Sequence, residues 1–194
     1  MTEQRLSRLL DKLCQLKEID PGLSFFGASE HRDELHPPLA ETTLLAFEEK
    51  HGVTLPAQYR DFLRQADDGG AGPYYGLYPL RFAYEQMGWV RPGDIRRPFP
   101  LDRPWNEYGR PAEQYHLPDG ADVHDGCLML SHHGCGYWSF LIVTGPERGK
   151  VWDDFTTADE GLQPTGRDFY NWYEWWLDLG LRREMWFSIS EGPS

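Results

Sequence analysis

Leu6, Leu9, Leu10, Leu13 and Leu16 recur at helical spacing among Arg8, Asp11, Lys12 and Gln15. This predicts an amphipathic helix over residues 3–18 that ends before Pro21 and turns a leucine stripe to the core. After a turn-rich stretch to Pro38, Leu44, Leu45 and Phe47 alternate with Glu41, Glu48, Glu49 and Lys50. A second helix is expected over Leu39–His51, stopped by Gly52. A third, Ala57–Leu63, opens behind Pro56, whose missing N–H costs nothing in a first helical turn, and stops at Asp67-Asp68-Gly69-Gly70.

Beyond those glycines the period changes. Tyr75, Leu77, Tyr78 and Leu80 favour extended backbone, and residues 91–125 are so rich in Pro, Gly and charge that they read as an insertion loop. Three strands are expected at Cys127–Ser131, Tyr137–Thr144 and Lys150–Phe155, the last two joined by the turn Gly145–Gly149. Thr165-Gly166-Arg167-Asp168 fits a capping box that would start a closing helix. In that helix Phe169, Trp172, Tyr173, Trp176 and Leu177 form an aromatic stripe wide enough to cover one face of a small sheet. The tail after Trp186 reads as unstructured. Helices first, then strands, then a helix favour an α+β class with a mostly antiparallel sheet. No repeat or linker separates two cores, so residues 1–194 are read as one domain.

Charge narrows the choice of partner. The chain of 194 residues carries a formal net charge of −12, which repels phosphate backbones and favours a basic partner over nucleic acid. Residues 1–19 hold four Lys/Arg and three Asp/Glu, so the acidity lies in the body of the chain. Three cysteines at wide spacing, Cys14, Cys127 and Cys135, describe no disulfide framework, and no apolar run near the start resembles a signal peptide or membrane span. The reading is cytoplasmic, with no membrane partner.

Four groups of residues invite a chemical reading. His124, Cys127, His132, His133 and Cys135 are all of zinc-ligating type, but a strand is expected between the two cysteines, where zinc knuckles need close pairs. The plainer reading is two small buried thiols and a histidine-bearing turn. Gly134-Cys135-Gly136-Tyr137-Trp138 suggests a nucleophilic cysteine, yet no histidine follows it and a strand follows where an activating helix would start. Asp153, Asp154, Asp159 and Glu160 form an acidic run, either a solvated loop or a landing site for a basic protein. Gly69, Gly70, Gly72 and Gly76 lack the Gly-Lys-Ser/Thr of a phosphate loop and read as turn formers.

Phe47-Glu48-Glu49-Lys50-His51-Gly52-Val53-Thr54-Leu55-Pro56-Ala57-Gln58-Tyr59-Arg60-Asp61-Phe62-Leu63 resembles the helix-Gly-Leu-Pro-helix signature of the SUKH superfamily. Asp68–Leu77, Gly126–Leu130, Gly134–Tyr137, Leu141–Gly145, Gly149–Trp152 and the closing Phe169–Leu177 follow in the order of that pattern, so the resemblance spans about residues 39–180. It implies an antiparallel sheet packed on helices. It also implies use as an immunity protein against bacterial toxins, many of them nucleases, or as a cell-wall-assembly and signalling regulator in fungi, with no catalytic residues and no cofactor.

The expected function is thus binding and neutralisation of a cognate protein toxin, probed through six exposed or acidic positions: Tyr74, Tyr75, Trp105, Tyr108, Asp153 and Asp154. A non-toxin regulatory module is the alternative, and a small hydrolase or zinc protein built around Cys135 and the nearby histidines is the third.

Overall fold

The computed structural model describes residues 2–84, 92–107 and 117–185. Helix α1 spans Thr2–Ile19 and buries Leu6, Leu9, Leu13 and Leu16 of the expected stripe, with Leu10 half-buried. A short helix α2, Ala28–His31, lies within the stretch read as turns. Helix α3, Glu41–His51, ends where Gly52 adopts φ 65° and donates its N–H to the carbonyls of Glu48 and Glu49. In that left-handed conformation a side chain would be strained. Helix α4, Ala57–Gln65, starts directly behind Pro56.

The sheet is a meander of four antiparallel strands in the order β1-β2-β3-β4: Cys127–Gly134, Tyr137–Ile142, Lys150–Phe155 and Gly161–Asp168. Helix α5, Phe169–Leu181, follows immediately and packs along α1. All five members of its stripe, Phe169, Trp172, Tyr173, Trp176 and Leu177, are buried. The class is α+β, as read from the element order.

Strand β4 corrects the expected capping box. Thr165 lies in the strand and its hydroxyl donates to the Val151 carbonyl. The N-cap of α5 is Asp168, whose Oδ1 accepts from Asn171 N–H at 2.8 Å. Pro164 is tolerated because β4 is the last strand of the sheet, where a missing donor can face outward.

Alternation along the strands gives the sheet two apolar faces. Leu128, Leu130, Leu141 and Val151 join the helices in one cluster. Met129, Phe140, Ile142, Trp152 and Leu162 form a second cluster on the opposite face with Phe99 and Leu101. The described parts of residues 91–125 contain no helix or strand, yet they form a packed layer. Phe99 and Leu101 are 3% and 2% exposed, and Phe99 N–H donates to the Thr144 carbonyl. Burying two such side chains contributes about 1.5–3 kcal/mol each, so this segment is part of the core.

Candidate partner-binding face

The strand register places the candidate residues along one end of the sheet. One row runs Ser131, Ser139, Asp153, Gln163 and the next runs His132, Trp138, Asp154, Leu162. Two irregular segments extend these rows. On the β1 side Leu77 bridges Ser131, and Tyr75 N–H donates to the His132 carbonyl at 3.2 Å. On the β4 side Trp105 and Leu162 exchange both backbone hydrogen bonds, at 3.0 and 2.7 Å. Tyr74 and Tyr75 therefore stand at one edge, Trp105 at the other, and Asp153 and Asp154 between them. Tyr108 lies outside the described residues, as does the tail from Trp186.

The six positions differ in accessibility. Tyr75 is 39% exposed and packs one side of its ring on Phe26 and Gly134. Tyr74 is half-buried, with φ 58°, and its ring stacks on His133. Burial pushes its phenol pKa up, and the Asp153 charge adds to the rise. Trp105 is half-buried.

Asp153 and Asp154 lie in β3, as the expected strand Lys150–Phe155 has them, and point to opposite faces. Their burial corrects the solvated reading for this half of the acidic run, while Asp159 and Glu160 are exposed. Asp154 is 1% exposed and accepts from His124 Nε2 at 2.9 Å and from Thr156 N–H at 2.8 Å. Burial alone would raise its carboxyl, but those hydrogen bonds outweigh it and hold the pKa below the ordinary value. As folded, Asp154 is thus an internal anchor for the His124 segment and presents almost no surface.

Asp153 belongs to a polar chain on the helix-side face of the sheet. Its Oδ1 accepts from Ser139 Oγ at 2.5 Å, and Ser139 Oγ lies 2.7 Å from His133 Nε2. Ser139 is 0% exposed. Burial raises the Asp153 pKa to about 6, against the opposing effects of the Ser139 hydrogen bond and the Arg167 charge. Burial lowers the His133 pKa to about 3.

The other cysteine and histidine positions are dispersed. Cys127 is buried in β1, its Sγ donates to the His124 carbonyl, and burial pushes its thiol pKa up. Cys135 is exposed at the β1–β2 turn with φ 52°. His132 packs on Trp138 across the sheet from His133. Among the described residues no group of three or more His, Cys, Asp or Glu side chains is placed to hold a metal ion. Ser139 and the His124–Asp154 pair were missed by sequence reasoning. The available signal was parity: Ser139 shares a face with Leu141, and Asp153 shares one with Val151, so both fall on a face that the apolar pattern buries.

The structure is an α+β fold, a four-stranded antiparallel meander with helices against one face and aromatic rings at one end of the sheet. The chain belongs to the SMI1/KNR4 family (SUKH-1), which matches residues 38–175. No curated protein matches the chain. Among the described residues no helix is long and apolar enough to cross a membrane.

Proposed function

We propose that the protein is an immunity protein that binds a cognate bacterial toxin stoichiometrically and occludes its active site without turnover. The observation that carries this reading is membership of the SUKH-1 family across most of the chain. The net charge of −12 favours a basic toxin and speeds encounter with it. We assign the contact to the sheet end, with Tyr75 as the exposed anchor, Tyr74 and Trp105 framing it, and Tyr108 three positions after Trp105 in sequence. Tyr75 is held by a backbone hydrogen bond to β1, so little conformational entropy is lost when it is covered. The action is cytoplasmic and needs no cofactor.

The test is co-expression with toxins encoded beside this chain, scoring rescue of growth and recovery of a one-to-one complex. Because Asp154 is buried and Asp153 only partly exposed, exposed Glu160 and Glu107 are the better sites for charge reversal. Failure to bind any neighbouring toxin, with recovery of a different cellular protein instead, would replace this reading by the regulatory one. Turnover of a substrate that vanishes in Cys135→Ala would end both.

A further inference from the structure

Ser139 Oγ sits between an imidazole nitrogen and a carboxylate oxygen, at 2.7 and 2.5 Å, while the direct separation of His133 Nε2 and Asp153 Oδ1 is 3.8 Å. A hydroxyl has one proton, so it donates to one neighbour and accepts from the other. With Asp153 ionised, Ser139 donates to the carboxylate and His133 donates to Ser139 from Nε2–H. With Asp153 protonated, the carboxylic acid donates to Ser139, and Ser139 donates to a bare Nε2.

We propose that Asp153, Ser139 and His133 form a relay in which protonation of Asp153 reverses both hydrogen bonds and moves the His133 imidazole proton from Nε2 to Nδ1. One proton is taken from solvent at Asp153. The imidazole keeps its count, because Nε2 loses a proton and Nδ1 gains one by exchange with water.

Four features support it. The buried side-chain atoms without a partner include His31 Nε2 but not His133 Nδ1, so the second tautomer buries no orphaned N–H. Burial brings Asp153 to about 6, within reach of ordinary pH changes. Burial keeps His133 near 3, so the ring changes tautomer and not charge. The groups facing the relay hold this bias: Arg167 of β4 favours the ionised Asp153, His132 of β1 opposes a charged His133, and Asp154 of β3 favours one less strongly than burial disfavours it. From the 70–78 segment Tyr74 adds a phenol kept neutral by burial, and from α5 Trp175 contributes only its ring, beneath Arg167.

Tyr74 stacks directly on His133, so the relay reaches the candidate face, but it does not depend on the toxin-binding reading. The experiment uses the full chain between pH 5 and 8, following Asp153 by its side-chain carboxyl 13C signal and His133 by long-range 15N imidazole correlations. The expected result is a common midpoint near pH 6, with His133 neutral throughout, Nε2–H at pH 8 and Nδ1–H at pH 5. In Asp153→Asn the His133 tautomer becomes independent of pH. In Ser139→Ala the carboxyl still titrates and the imidazole no longer follows; should that variant not fold, wild type and Asp153→Asn decide. A single His133 tautomer across the range, a His133 that gains charge near pH 6, or an Asp153 that does not titrate there each overturns the relay.

Discussion

The phenol ring of Tyr74 lies over the imidazole of His133, with centroids 3.5 Å apart and planes 18° from parallel. The stack offsets the cost of holding a non-glycine residue at φ 58°, a conformation that costs of order 1–2 kcal/mol. That backbone turn sends the next ring, Tyr75, outward while Tyr74 goes in.

The two tyrosines should therefore separate stability from binding. Tyr74→Ala is expected to lower unfolding free energy by roughly 1–3 kcal/mol, less than a fully buried aromatic loses. Tyr75→Ala should cost less than about 1 kcal/mol of stability but weaken a toxin complex by about 2 kcal/mol or more, the mark of an interface hot spot. Urea denaturation and calorimetric titration check the pair. Equal loss of binding in both, with Tyr75→Ala also unfolding, would remove Tyr75 from the contact.

Gly27 fixes the same region from below. A Cβ there would lie 1.6 Å from the Tyr74 carbonyl oxygen, and its φ is 83°. Gly27→Ala should destabilise by more than about 3 kcal/mol, since backbone must move on both sides. Loss of near-ultraviolet circular dichroism at lower urea concentration is the readout, with Gly120→Ala, where a Cβ meets nothing within 4 Å, as the control for positive φ alone.

The buried Asp67 and Asp33 carboxyls contribute stability that is lost as pH rises, against the opposite contribution below about pH 6.5 of His31 and His133, whose imidazoles burial lowers to about 4 and about 3. Burial raises the Asp67 carboxyl to about 8 and the Asp33 carboxyl to about 6, above their unfolded values near 3.8. At these two carboxyls the folded state binds more protons than the unfolded chain, so their contribution to stability falls as pH rises towards those values. Asp67→Asn keeps an acceptor for His36 N–H, which now donates to Asp67 Oδ1. It should gain more stability relative to wild type at pH 8 than at pH 5, by thermal melts in matched ionic strength. A constant difference would place the Asp67 pKa elsewhere.

Helix α1 tests which force docks it. Lys12 bridges Glu174 and Asp178 at 2.8 and 2.5 Å, but these are partly exposed ion pairs and are worth at most about 1 kcal/mol. Leu9 is 0% exposed, and Leu9→Ala should cost about 2–5 kcal/mol. Lys12→Met should cost far less, with the difference shrinking at high salt.

Helices α1, α3, α4 and α5 were legible because each carries an apolar stripe or a stop signal of its own. Strand β4 was not: Gln163-Pro164-Thr165-Gly166 spells a turn, and only its position at the sheet margin makes it extended. The role of residues 92–107 as a second layer was equally hidden, since Phe99 and Leu101 stand among prolines and charges with no period. Asp154 was read as surface because charge predicts exposure until a partner is known, and His124 lies thirty positions away. For the candidate face, the sequence offered residue types, and the strand register supplied their common location.

Residues 75–83 lie along β1, and at the other margin Trp105 pairs with β4 at Leu162, two residues before the donor-less Pro164. Among the described residues, another polypeptide therefore finds β1 already paired and β4 interrupted at Leu162 and Pro164. Strand addition and edge-to-edge polymerisation along β1 are disfavoured, which agrees with the proposal that a partner is met through side chains.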